Sequence, residues 1–156
     1  MKEITLFELK SNLKELKLSS MMREIESILR QASDSGIPYD EFLLELTRME
    51  IESRAAGRLK RRIKDARFPL LKPLETFEIQ EVPQLDIRLF RELITCEFIK
   101  ERRNVIFLGS SGTGKTHMAI GLGLEACKQN YKTRFVTCYG LVNELIEARE
   151  ERDLQR

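Results

Sequence analysis

The fold expected of this chain is decided by the stretch Gly109-Ser110-Ser111-Gly112-Thr113-Gly114-Lys115-Thr116. It fits the Walker A pattern G-x-x-x-x-G-K-[ST], in which glycines allow backbone N–H groups to curl around phosphate oxygens. We expect this loop, with His117 directly after it, to bind the phosphates of ATP or ADP. Lys115 would lie against the β- and γ-phosphates, and the Thr116 hydroxyl would complete the coordination of Mg²⁺.

Both flanks of the loop suit a nucleotide-binding domain. Residues 104–108 are a short apolar run, typical of a strand buried in a parallel sheet. Residues 117–128 are apolar on nearly all sides and predict a buried helix, in which Gly121 and Gly123 would pack closely against the sheet. A second strand at 133–137 and a helix at 141–149 follow. This order predicts the α/β fold class, as the first part of a P-loop NTPase domain.

Composition narrows the class of protein without naming a partner. Of 156 residues, 42% are hydrophobic and 33% are charged, and the formal net charge is only +2. No run approaches the ~18 apolar residues that span a bilayer, so we expect a cytoplasmic chain with no membrane partner. The 3 cysteines have no C-x-x-C spacing, which favours reduced packing cysteines over a disulfide or metal site.

The chain before the loop is predicted to be helical. Apolar stripes indicate helices at 5–16, at 21–34, where Gly36 would end the helix, and from Pro38 to about residue 66. Prolines at positions 69, 73 and 83 then mark a connector. We therefore predict a helical region at 1–67, a connector at 68–84 and a partial nucleotide-binding domain at 85–156, which begins with short helices at 85–93 and 96–101.

The strongest charge feature is a basic strip near the end of the third helix. Seven basic residues and one acidic residue, Asp65, lie between positions 54 and 67. Such a strip can neutralise the phosphates of double-stranded DNA without reading its sequence. A solvated helix face is the alternative interpretation. The residues predicted to contact DNA are Arg54, Arg58, Arg61, Arg62 and Lys64.

Several segments together resemble a known family. They are Arg102-Arg103-Asn104-Val105, Gly114-Lys115-Thr116-His117-Met118-Ala119-Ile120, Leu124-Glu125-Ala126-Cys127 and Leu141-Val142-Asn143-Glu144-Leu145, with Tyr39-Asp40-Glu41-Phe42-Leu43, Ala66-Arg67-Phe68-Pro69 and Leu74-Glu75-Thr76-Phe77 upstream. The chain is similar to the IstB-like ATP-binding helper proteins of insertion sequences, AAA+ ATPases related to the helicase loader DnaC. The resemblance implies an ATP-dependent protein that assembles as a homo-oligomer on DNA and delivers or stimulates the transposase of the same insertion sequence.

The sequence also departs from that family. Members continue with a Walker B strand, a polar sensor and an arginine that completes a neighbouring site, and no apolar run ending in acidic residues follows Thr116. We therefore expect a truncated AAA+ domain with weak or absent hydrolysis, no predicted catalytic residue, and an open question of whether the chain is an enzyme. The strand order 5-1-4-3-2 implied by the resemblance would leave both predicted strands with unpaired edges and prone to association.

Alternative interpretations remain. The chain could be a helicase loader acting in DNA replication, a small-molecule kinase, or a non-enzymatic remnant that binds DNA or a protein partner. A kinase is disfavoured because its phosphate loop is usually close to the N-terminus. Phe77, in the connector, could cover an adenine ring or fill core.

Overall fold

Helices account for all the regular structure seen in the computed structural model, which describes residues 3–79, 82 and 85–154. The α-helices are α1 (Glu3–Glu15), α2 (Ser19–Ser35), α3 (Tyr39–Asp65), α4 (Ile87–Ile94), α5 (Glu97–Lys100), α6 (Lys115–Lys128) and α7 (Cys138–Leu154), with a 3₁₀ turn at Leu74–Thr76. Contacts divide the chain into two compact units, Met1–Arg58 and Leu59–Arg156. The predicted functional division at 1–67, 68–84 and 85–156 stays a prediction.

The unit Met1–Arg58 is a packed set of helices. Its core is formed by Leu13, Ile25, Ile28 and Leu46, of which Leu46 is only 2% exposed. These residues come from the apolar stripes of three successive helices, so the helical period of the sequence is enough to build this core. Gly36 ends α2 as predicted, in the left-handed conformation (φ 63°), and its N–H donates to the carbonyl of Ala32.

A buried carboxylate joins the helices of this unit. Glu50 on α3 accepts hydrogen bonds from the backbone N–H groups of Ser20 (2.8 Å) and Met21 (3.1 Å), at the first turn of α2. Its other oxygen accepts from Arg54 Nε at 2.8 Å. Burial acts to raise the pKa of Glu50, but the hydrogen bonds from Arg54, Met21 and Ser20 outweigh it and hold the pKa below its usual value. Glu50 thus caps α2 as a carboxylate.

The unit Leu59–Arg156 is organised around α6. Leu74, Phe90, Met118 and Leu122 form its buried cluster. Burial reaches nearly all sides of α6, as predicted; its buried residues are Met118, Ile120, Gly121, Leu122, Leu124, Ala126 and Cys127. The helix ends in a left-handed turn at Asn130 (φ 73°), where the N–H groups of Asn130 and Tyr131 donate to the carbonyls of Cys127 and Ala126.

The predicted α/β fold class is wrong for the described part of the chain, which contains no β-strand. Residues 104–108 and 133–137, the two predicted strands, form neither helix nor strand. Ile106 is 78% exposed and Leu108 is 90% exposed. A β-strand exists only through hydrogen bonds to a neighbour, so an apolar β-forming run without one forms no sheet. The second segment is joined to the end of α3 by a hydrogen bond from the N–H of Phe135 to the carbonyl of Ala66 at 2.8 Å.

The cysteines, the membrane-spanning character of the helices and the end of the connector were also predicted from the sequence. Cys96 and Cys127 are buried and Cys138 is exposed, and all three are free thiols. No helix in the described ranges has both the length and the apolar character needed to cross a membrane. The predicted cytoplasmic location stays a prediction. The end of the predicted connector at residues 80, 81, 83 and 84, including Pro83, and the last two residues of the chain lie outside the described residues.

Candidate functional site

The glycine-rich loop, residues 109–116, has a backbone path that only glycine follows without strain. Gly109, Gly112 and Gly114 have φ values of 152°, 82° and 77°. Residues with a Cβ avoid this region because the side chain approaches the backbone carbonyl. The two glycines that the motif requires, Gly109 and Gly114, and Gly112 between them are therefore the residues at which the loop turns.

The loop leads directly into a helix whose N-terminus has no side-chain cap. α6 begins at Lys115, and Gly114, its N-cap residue, offers no side chain to accept hydrogen bonds from the first turn. The first N–H groups of a helix have no partner within the helix, and they form the positive end of its dipole. This end of α6 is consequently suited to an anion.

Polar side chains of the loop converge on one carbonyl. The hydroxyl of Thr113 donates to the carbonyl oxygen of Ser110 at 2.9 Å, and the Lys115 ammonium donates to the same oxygen. Lys115 Nζ also lies 3.4 Å from Thr113 Oγ1. The ammonium group of Lys115, the single positive charge of the loop, is thus hydrogen-bonded to the loop backbone.

A polar cavity opens beside the loop. It has a volume of ≈ 810 Å³ and is lined by residues 111–117 on one side and by Lys72, Thr76, Phe77 and Glu78 on the other. A second cavity of ≈ 780 Å³ is lined by residues 105–110 and by residues of α4. Thr113 and Lys115 line both cavities. The loop therefore borders two cavities.

His117 contacts residues 72–77, which we call the strap. Its Nε2 lies 3.0 Å from the carbonyl oxygen of Pro73 and 3.4 Å from Thr76 Oγ1. The ring meets Phe77 edge-on, with centroids 5.2 Å apart. Of the two interpretations of Phe77, the structure favours core, because its ring also packs near Phe90, with centroids 6.1 Å apart, and against the buried cluster of this unit.

The glycines of α6 contact the connector, and the prediction that they pack against a sheet is wrong. A Cβ at Gly121 would overlap the side chain of Leu74, and one at Gly123 would lie 2.8 Å from Phe68. No sheet forms in the described part of the chain, and the connector covers the face of α6 that was expected to pack against a sheet. The contacts of the strap were not predicted, because they follow neither a helical nor a strand period. The sequence pointed to this segment only through Leu74-Glu75-Thr76-Phe77, which is part of the family resemblance.

The residues predicted to contact DNA fall into two groups. Arg54 donates to Glu50 and to the carbonyl of Lys17 (2.7 Å), and Arg62 donates to Asn130 Oδ1 at 2.8 Å. Arg58, Arg61 and Lys64 are exposed, and no hydrogen bond or ion pair within the described ranges holds their side chains. Arg54 and Arg62 are thus hydrogen-bonded within the chain, whereas the side chains of Arg58, Arg61 and Lys64 are available to contact DNA.

An open helix N-terminus behind a glycine-rich turn is the arrangement found in phosphate-loop nucleotide-binding proteins. The chain belongs to the family of IstB-like ATP binding proteins, whose family model matches residues 11–156. The resemblance noted in the sequence is thereby confirmed.

Curated relatives agree with this assignment. A protein of insertion sequence IS5376 from Geobacillus stearothermophilus, named as ATP-binding, is 39% identical over 141 residues, covering 90% of this chain and 56% of the relative. The corresponding protein of IS21 from Pseudomonas aeruginosa is 36% identical, covering 96% of this chain and 56% of the relative. That of IS232 from Bacillus thuringiensis subsp. berliner is 30% identical, covering 95% and 59%. The chain thus spans a little over half the length of these relatives.

Proposed function

We propose that residues 109–116 bind ATP, with the phosphates held by the loop backbone, the α6 N-terminus and Lys115. The observation that carries this proposal is the positive φ of all three loop glycines ahead of a helix that has no side-chain cap. Membership of an ATP-binding family supports ATP over other anions. On binding, Lys115 would exchange the carbonyl of Ser110 for phosphate oxygens, which accept from an ammonium more strongly.

Magnesium would accompany the nucleotide. Thr116 is exposed in the first turn of α6, and its hydroxyl has no hydrogen-bond partner in the described part of the chain. Oxygen donors suit Mg²⁺, which usually keeps several waters and shares its shell with substrate phosphates. The described residues contain no group of three or more His, Cys, Asp or Glu side chains that could hold a metal by themselves. We therefore place the ion, with Thr116, on the bound nucleotide.

Titration calorimetry with ATP and Mg²⁺ tests this function. Lys115→Ala should abolish detectable binding, because the variant removes the only cationic side chain of the loop. Lys100→Ala is the matched control, since Lys100 is an exposed lysine paired with Glu97 on α5. Unchanged affinity in Lys115→Ala would contradict the proposed site.

We also propose a second activity, non-specific binding of double-stranded DNA by the basic end of α3. Arg58, Arg61 and Lys64 support it, since they are exposed cations that no described acid neutralises. Binding of this kind releases counterions, so affinity should fall steeply with salt concentration. Because Arg54 and Arg62 have intramolecular partners, we assign the DNA phosphates chiefly to the other three residues.

The DNA proposal is tested by charge reversal at Arg58, Arg61 and Lys64 together. Affinity for a duplex of arbitrary sequence should fall, and the slope of log affinity against log salt should shrink by roughly 2 to 3, about 0.9 for each lost phosphate contact. The matched control reverses Arg88, Arg91 and Lys132, which are also exposed and whose reversal changes the net charge by the same amount. Equal losses in both triple variants would show that only net charge matters.

The biological setting we infer is that of a helper in transposition, because the relatives are named as ATP-binding proteins of insertion sequences. Capture of a transposase by the purified chain, and not of a replicative helicase, would separate this role from helicase loading.

A further inference from the structure

One backbone carbonyl, that of Pro73, joins the turn of the strap to the start of α6. The oxygen of Pro73 accepts from the Thr76 N–H at 3.2 Å, from the Thr76 hydroxyl at 2.8 Å and from His117 Nε2 at 3.0 Å. A neutral imidazole donates through only one nitrogen, so this contact requires the proton on Nε2. His117 is the only one of these donors that lies on α6, two residues beyond its start.

Phe77 lies at the other end of this arrangement, against the loop itself. A Cβ on Gly114 would be only 2.6 Å from Phe77 Cε2, so the ring rests on the backbone of the N-cap residue of α6. The edge of His117 supports the same ring. Phe77 is therefore confined between the helix that follows the loop and the cluster around Phe90.

The strap continues along α6 beyond these two contacts. Leu74 fills the space left by the missing side chain of Gly121, and the Lys128 ammonium donates to Glu75 at 2.9 Å. The strap thus contacts α6 near its start, its middle and its end. Only the contacts of His117 and Phe77 reach the loop residues that would meet phosphate.

We propose that His117 is a positioning residue, which holds the strap so that Phe77 supports Gly114 and keeps the N–H groups at the start of α6 aimed at the phosphates. The proposal rests on the proposed nucleotide binding and deepens it. It gives His117 a role through the strap and not by contact with the nucleotide. Preorganised N–H donors bind an anion more tightly than donors that must first be ordered, so loosening the strap weakens binding.

A double-mutant cycle on ATP affinity tests the proposal. His117→Ala and Phe77→Leu should each weaken ATP binding several-fold, and the double variant should be little weaker than the worse single variant, because both changes release the same strap. If the two losses multiply, His117 acts independently of Phe77 and the proposal is overturned. If neither single variant changes the affinity, the strap does not position the loop and the proposal is equally overturned.

Conservative replacement adds a readout that simple loss of packing would not move. His117→Gln keeps an N–H donor for the Pro73 carbonyl and should restore most of the affinity, whereas His117→Leu keeps the bulk without the donor and should not. Equal affinities of the Gln and Leu variants would contradict the role of the hydrogen bond. Thermal denaturation of each variant shows whether it is folded at the titration temperature.

Lys115→Ala separates the two proposals. If Lys115→Ala leaves ATP affinity unchanged, the assignment of the loop as the nucleotide site fails. If Lys115→Ala abolishes binding while the changes at His117 and Phe77 multiply or have no effect, nucleotide binding stands and only the positioning role of His117 fails.

Discussion

The two units of the chain satisfy their buried groups in different ways. In Met1–Arg58 the core comes from helical stripes, and the buried Glu50 is fully hydrogen-bonded, to Arg54 and to the start of α2. In Leu59–Arg156, α6 is buried, yet the two predicted strands at residues 104–108 and 133–137 have no strand partners. A helix makes its hydrogen bonds within itself, whereas a strand depends on another segment. Sequence periodicity is therefore a sufficient guide to the first unit and an incomplete one to the second.

The largest effect is expected in the second unit, from Gly114→Ala. The new Cβ would lie 2.6 Å from Phe77 at a residue whose φ is 77°, so both sterics and backbone strain oppose it. We expect a loss of roughly 2 to 3 kcal/mol in the free energy of unfolding and at least about tenfold weaker ATP binding.

Gly112→Ala is the control for that variant in denaturant unfolding. Its φ is 82°, but a Cβ there would meet nothing within 4 Å. It should therefore cost only the backbone term, about 1 kcal/mol. Equal destabilisation by the two variants would mean that the Phe77 contact is unimportant.

In the first unit, Glu50→Ala should lower the free energy of unfolding by about 2 kcal/mol, because it leaves two N–H groups and Arg54 without their acceptor. Chemical denaturation across pH measures this. The folded-state pKa of Glu50 is lowered, so its stabilisation is complete above the usual value of 4.5 and is lost as the pH falls through the lower folded value. The difference between wild type and Glu50→Ala should therefore shrink on acidification.

Glu52→Ala provides the comparison on the same helix. Glu52 is exposed, so its removal should change the free energy of unfolding by less than about 0.5 kcal/mol. A similar loss in both variants would show that Glu50 does not act through its hydrogen bonds to α2.

Gly57→Ala should stabilise the chain by about 1 kcal/mol. Gly57 lies inside α3, where a Cβ would have no neighbouring atom within 4 Å, and alanine is the better helix former. Gly123→Ala on α6 should act in the opposite direction, because its Cβ would lie 2.8 Å from Phe68. Thermal unfolding of both variants measures the contrast. Destabilisation by both variants would indicate that Gly57 is packed against other residues and is not exposed.

The smallest effect on stability is expected from Ile106→Lys. Ile106 is 78% exposed in a segment without regular structure, so the change should alter the free energy of unfolding by less than about 0.5 kcal/mol. It should nevertheless reduce self-association, since a lysine on an unpaired edge discourages pairing with another chain. Sedimentation over a range of concentrations is the measurement. Unfolding of the variant would show that Ile106 is part of a core.

The sequence was informative where structure is local. It predicts the helices, the end of α2 at Gly36 and the three glycines of the loop, because a period or a single backbone conformation specifies each. It does not predict that Pro73 and Phe77 hold the start of α6, or that Arg54 is used within Met1–Arg58. These contacts join residues 37 to 44 positions apart, such as Arg54 with Lys17 and His117 with Pro73, and no short-range pattern encodes them.

Hydrogen exchange with and without ATP and Mg²⁺ tests the central claim most directly, because it measures both units in one experiment. Bound nucleotide should slow exchange in the loop, in the first turn of α6 and in the strap, and should leave the core of Met1–Arg58 unchanged. Absence of protection in residues 109–117, or equal protection in both units, would contradict nucleotide binding by the loop.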